Sequence, residues 1–174
     1  MPSEKPSVHG PTRRMALASF SLLLVAGCGG GGDVAATPKT TGLRFIVTAD
    51  DLINPNTESQ PAPVVVRIYE LKSINAFLQA NFFQLLDNDT ALLGADMLGK
   101  REIEIKPGEK QAFDRGTPVD THYIGVIAGF RESDKATWRA NMDIVPQQGG
   151  TVVVKLTAQA VSISLTKDKT LGLF

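Results

Sequence analysis

From residue 43 to residue 165, apolar side chains recur at every second position in short runs, and turn formers separate the runs. Leu43, Phe45, Val47 and Ala49 form the first run, and Ile124, Val126, Ala128 and Phe130 a later one. Trp138, Ala140, Met142 and Ile144 keep the rhythm, followed by Val152, Val154, Leu156 and Ala158, and then by Val161, Ile163 and Leu165. Neighbouring side chains on an extended backbone point to opposite faces, so a period of two makes one face apolar and the other polar. Pro63–Leu71 is apolar nearly throughout, with its proline at the start, where a missing donor is tolerated. Glu102–Ile105 and Glu109–Phe113 flank the turn Pro107-Gly108, and Gly149-Gly150 marks another turn. About eight short strands with turns between them predict an all-β fold, a sandwich of two sheets.

One stretch breaks the period. Ile74, Phe77, Leu78, Phe82, Leu85 and Leu86 fall three and four residues apart, with Ser73 placed to cap the first turn. This predicts a small helical insert, one or two short helices over about 73–87, whose apolar stripe packs on a sheet.

The single cysteine, Cys28, allows no disulfide, so the fold must rest on its core. Ahead of it stand Arg13 and Arg14 and about a dozen apolar positions ending Leu22-Leu23-Leu24-Val25-Ala26-Gly27, too short for a span of about 20 residues. A basic start, a short apolar run and small residues before a cut site make a secretory signal. Val-Ala-Gly-Cys resembles the lipobox of bacterial lipoproteins, in which the thiol takes a diacylglycerol and the chain is cut before the cysteine. Residues 1–27 then form a signal peptide, 28–42 a lipidated flexible tether, 43–166 the sandwich and 167–174 a tail. Gly29, not aspartate, follows the anchor, which in such lipoproteins of Gram-negative bacteria goes with the outer membrane. Thr12-Arg13-Arg14-Met15 leaves the Sec and Tat export routes both open. Loss of Lys5, Arg13, Arg14 and Glu4 with the leader leaves 15 basic and 17 acidic residues, a net charge of −2, which is no footprint for nucleic acid.

No catalytic constellation stands out downstream. His122 is the single histidine after the leader, and no nucleophile elbow accompanies it. One histidine and a lipidated cysteine cannot make a typical zinc site, and no cofactor or metal is expected. Asp87-Asn88-Asp89 opens like a calcium loop, but Leu92 and Leu98 stand where the turning glycine and the bidentate glutamate belong, so the stretch reads as a solvated loop. What remains is surface. The connection Asp50–Ala62 is long for a link between strands, and long loops of this kind are often functional. Leu52 and Ile53 sit in it among polar residues, either as an apolar tip for a partner or folded back onto the core.

Taken in order, the lipobox, Asn54-Pro55-Asn56, Pro63–Lys72, Phe77, Ala80-Asn81-Phe82, Leu85-Leu86, Leu93–Asp96, Pro107-Gly108, Tyr123–Arg131 and Trp138-Arg139 resemble the TssJ family (also SciN or VasD), the outer-membrane lipoproteins of the type VI secretion system. Ala80-Asn81 replaces the family's usual Ala-Asp, and the 50–60 loop lacks a frequent glycine. The resemblance implies a transthyretin-like sandwich without enzymatic activity, acylated at Cys28 (palmitate among the chains). It implies a protein held on the periplasmic leaflet of the outer membrane and bound to the periplasmic C-terminal domain of the IcmF-like inner-membrane protein TssM. The family's contact loop maps to Asp50, Asp51, Leu52, Ile53, Asn54, Pro55, Asn56, Thr57, Glu58, Ser59 and Gln60. The alternative is a ligand-binding periplasmic lipoprotein of the same fold, with a pocket near Trp138 or Tyr69.

Overall fold

The computed structural model describes residues 39–166. The strands are β1 (Thr40–Ala49), β2 (Val64–Leu71), β3 (Met97–Ile105), β4 (Lys110–Pro118), β5 (Tyr123–Ala128), β6 (Arg139–Asp143), β7 (Gly150–Leu156) and β8 (Val161–Thr166). They form two four-stranded sheets, ordered β4-β1-β7-β8 and β3-β2-β5-β6. All neighbours run antiparallel except β1 and β7. The expected two-sheet sandwich of eight strands is the observed fold. The inward faces of both sheets meet in one core, with Phe45, Val47, Val66, Ile124, Val126, Val152 and Val154 fully buried.

β1 starts three residues before the expected boundary. Thr40, Thr41 and Gly42, assigned to the tether, pair with Pro118, Thr117 and Gly116. The backbone ladder holds them although their side chains carry little apolar signal. Cys28, the leader, most of the tether and the tail 167–174 lie outside the described residues.

β2 is buried on both faces toward its end, which is why its sequence shows a continuous apolar run. Val64, Val66 and Ile68 face the sandwich, whereas Tyr69 and Leu71 join a second core with Phe77, Ala80, Leu85, Leu93 and Ile127. The helices α1 (Asn75–Gln79) and α2 (Phe82–Leu93) form that second core's outer wall. Ser73 does not cap; α1 follows Ile74 with no side-chain cap, and the cap that matters is Asn81 at the head of α2. Its Oδ1 accepts from the Gln84 N–H at 2.9 Å while Gln84 Oε1 accepts from the Asn81 N–H at 2.9 Å, a reciprocal capping box.

The stretch from Asp87 to Asp89 is not a solvated loop. It continues α2 across a kink at Asn88, where φ is −140°. Asp89 is buried, 5% exposed, and accepts from the Tyr69 hydroxyl at 3.0 Å and from Lys100 Nζ at 3.0 and 2.9 Å. Arg67, on the same face of β2, approaches it at 3.5 Å. Burial raises the Asp89 carboxyl, and hydrogen bonds from Lys100, Tyr69 and Thr90 overcome that and hold it below its ordinary value. These contacts fasten the insert to β2 and β3. Between the sheets, Glu70 of β2 is also buried and pairs with Arg115 of β4.

The far end of the Phe77 ring abuts β5 at Gly125, which leaves room for it. A Cβ at Gly125 would stand 2.8 Å from Phe77 Cζ. Gly125→Ala is therefore expected to cost about 1–3 kcal/mol as overpacking. Gly42→Ala, where an added Cβ meets nothing within 4 Å, serves as the control and should leave the urea midpoint in place. Equal midpoints for the two variants would mean that the Phe77 seat yields freely.

Candidate partner-binding site

β1 enters the domain at Thr40 and leaves it at Ala49, about 30 Å away at roughly 3.3 Å per residue. The connections β1–β2, β3–β4, β5–β6 and β7–β8 gather at that far end. Hydrogen bonds tie them together: Ala49 N–H to Glu109 O at 2.9 Å, Gly108 N–H to Asp50 O at 3.2 Å, and Asn54 N–H to Ala158 O at 2.8 Å.

The β1–β2 loop divides its two apolar residues. Ile53 folds back into the core and is fully buried, whereas Leu52 is 62% exposed. Of the pair, Ile53 alone has folded back, and Leu52 stands outside the core. Asn54, also expected at the contact, is buried at 5% exposure. Its Nδ2 donates to Pro63 O at 3.0 Å, and its Oδ1 accepts the Arg131 N–H of the β5–β6 loop at 2.8 Å. Asn54 and Ile53 hold the loop from beneath, and their burial fixes the exposed residues around them.

The tip is built by Asn56. Its Oδ1 accepts from the Glu58 and Gln60 N–H groups at 3.0 and 2.8 Å, and its Nδ2 donates to Gln60 Oε1 at 3.1 Å. Asn54 and Ser59 take positive φ of 50° and 61°. Asparagine tolerates this region better than most residues, so the turn closes without glycine. Asp50, Asp51, Leu52, Thr57, Glu58, Ser59 and Gln60 are exposed, with Pro55 and Asn56 half-buried. Asp50 leans on Lys155 at 3.6 Å. The result is a braced loop presenting one leucine among acids and amides.

The competing sites are less well formed. Tyr69 is fully buried, and Trp138 is half-buried, edge-on to Phe82 at 5.3 Å between ring centres. A cleft of about 410 Å³ opens elsewhere, by Gly42, Arg44, Asp114 and Gly150, where β1 begins. His122 is exposed, and its ring nitrogens make no hydrogen bond among the described residues. No described helix is long and apolar enough to cross a membrane.

Residues 41–167 match the family described as "Type VI secretion lipoprotein, VasD, EvfM, TssJ, VC_A0113". Among similar solved structures is the type VI secretion lipoprotein TssJ1 from Pseudomonas aeruginosa, 34% identical, with a TM-score of 0.70 over 73% of this chain and 97% of that one. Serratia marcescens Lip, a membrane-bound component of the type VI secretion system, shares the fold at 24% identity and a TM-score of 0.65, over 74% of this chain and 98% of Lip. A chain in the structure of the TssM C-terminal domain from EAEC is 27% identical, with a TM-score of 0.59 over 71% of this chain and 99% of that one. Comparison with curated proteins gives no match.

Proposed function

The chain belongs to the TssJ family of type VI secretion lipoproteins, and from that premise we propose that it fastens the system's membrane complex to the outer membrane by binding the periplasmic C-terminal domain of TssM. The signal peptide is cut before Cys28, and acyl chains on that thiol sit in the periplasmic leaflet. With β1 beginning at Thr40, the tether runs from Gly29 to Lys39 and spans roughly 36–40 Å at full extension. The observation that carries this reading is the braced β1–β2 loop, with Leu52 exposed at the end of the sandwich opposite to where the chain enters. The anchor pulls at one end and leaves the other free to meet a partner. The match to a chain in the TssM C-terminal domain structure from EAEC supports the choice of partner.

Co-purification with the TssM periplasmic domain tests it. Leu52→Asp removes the apolar contact and leaves Ile53 and Asn54 in place. Burying a leucine is worth about 1.5–3 kcal/mol, so affinity should fall roughly 10- to 100-fold with thermal stability unchanged. Asn54→Ala, which frees the loop from Arg131 and Pro63, should weaken binding and lower stability together. Unchanged recovery of TssM with Leu52→Asp would remove the loop from the interface.

A further inference from the structure

Residues 73–86, Ser-Ile-Asn-Ala-Phe-Leu-Gln-Ala-Asn-Phe-Phe-Gln-Leu-Leu, carry no charge in a chain that is 21% charged. Two of their side chains face outward, Leu78 at 43% exposure and Phe83 at 64%. The exposed polar side chains beside them within the segment are amides, Asn75, Gln79, Asn81 and Gln84, and Asp87 follows one turn after Phe83. It is held rigidly. Phe83 meets Phe82 edge-on at 5.4 Å and Phe82 meets Trp138 at 5.3 Å. Arg139 Nη1 donates to the carbonyls of Phe77 and Ala80 at 2.8 and 2.9 Å, clamping the end of α1 to β6. The loop end differs sharply, for there Asp50, Asp51, Glu58, Lys106, Arg131 and Lys135 are exposed.

We propose that this neutral face of the helical insert rests on the bilayer surface to which the protein is anchored. The proposal relies on lipidation at Cys28. A tether of 11 residues, Gly29 to Lys39, keeps the domain within roughly 40 Å of the lipid, so contact with the bilayer becomes an intramolecular event. An aromatic and an aliphatic side chain in a rim of amides suit the interfacial layer, where apolar side chains reach the acyl boundary and amides stay hydrated among the headgroups. Between Ser73 and Leu86 no side chain offers charge for a polar protein partner to complement; the nearest exposed charges in the chain, Lys72 and Asp87, stand at the segment's two ends. Two side chains are too few to hold a free domain on a membrane, and with the acyl chains already inserted they need only orient it. The sheet β3-β2-β5-β6 then faces the lipid, and the braced loop opens sideways, toward neighbours in the plane of the membrane.

The lipidated full chain, reconstituted in phosphatidylethanolamine–phosphatidylglycerol vesicles with brominated acyl chains, provides the test. In a Trp138→Phe background, Phe83→Trp puts the single reporter on the insert, and Val145→Trp puts it on the β6–β7 turn, where Val145 is 54% exposed. The Phe83 reporter should lose at least half its emission to lipids brominated near the headgroups, with the Val145 reporter little changed. Quenching at Val145 alone, or at neither site in protein that floats with the vesicles, overturns this proposal and leaves the anchor intact. Protein that does not float overturns the lipidation reading and this proposal with it. If Trp138→Phe disturbs the fold, native Trp138 takes over as reporter: its weaker quenching should vanish with Phe83→Gln, and persistence would count against the insert.

Discussion

Replacing Asp89 by alanine is expected to destabilise the domain by about 3 kcal/mol and to lower Tm by roughly 10 °C. The carboxylate is 7% exposed and its loss strands four donors, of which the exposed Thr90 hydroxyl turns readily to water. Lys100, about a third exposed, can turn to water, and Arg67 keeps Glu102 and the carbonyl of Leu86. Tyr69 has no such escape. Burial, then the neighbouring Asp89 charge and its hydrogen bond, push the phenol well above its usual range, so it stays protonated and must donate. Without Asp89 its nearest remaining acceptor is the carbonyl of Leu85 at 3.5 Å. The same carboxylate makes stability acid-sensitive. Its folded pKa lies below the unfolded value, so its contribution is fully present above about pH 4 and is lost as pH falls through the lowered value. Asp89→Asn keeps a hydrogen-bonding acceptor for Tyr69 and removes the titration. It should cost less than alanine and flatten this part of the profile below about pH 4. Urea unfolding of the three proteins across that range separates the outcomes, and an alanine variant as stable as wild type would mean that α2 is held by its apolar stripe alone.

The strands are legible because each is half buried and alternation is a local property. β2 departs from alternation, and its unbroken apolar run signals a second covered face. The insert that covers it follows from the three–four spacing of Phe77, Phe82 and Leu85. Its length does not, because Asp87, Asn88 and Asp89 look like a loop to any local reading. What makes Asp89 a buried helical residue is Tyr69, 20 positions earlier, and Lys100, 11 positions later. Asn81-Phe82-Phe83-Gln84 is different: the capping pattern is local and stands in the chain itself, eight residues after Ser73. At the loop, length singles out the segment. It cannot sort Leu52 from Ile53, since two adjacent apolar residues in a turn carry no period. Nor can it see that Asn54 is a brace, because the Arg131 N–H that it accepts lies 77 residues away.

Cys28→Ser is expected to move the protein from the membrane fraction to the soluble periplasm and to abolish secretion. At about 0.8 kcal/mol per buried CH₂, two acyl chains already anchor stably, and the three of a mature lipoprotein make detachment negligible. Serine offers no thiol for the first acyl transfer, so none of the chains is added. The folded domain, built on residues 39–166 without a disulfide, keeps its core and its loop in the variant. Binding to the TssM periplasmic domain in solution should therefore match that of the wild-type domain. The difference is geometric. A tether of 11 residues from a lipidated Cys28 would hold the domain at an effective concentration in about the millimolar range beside the membrane, and release dilutes it into the whole periplasm. Even a variant bound to TssM would transmit no force to the outer membrane, so overexpression should restore occupancy of the complex without restoring secretion. Restored secretion on overexpression would mean that the anchor only raises local concentration. Secretion by the unanchored variant at native levels would show that the anchor has no part in the mechanism.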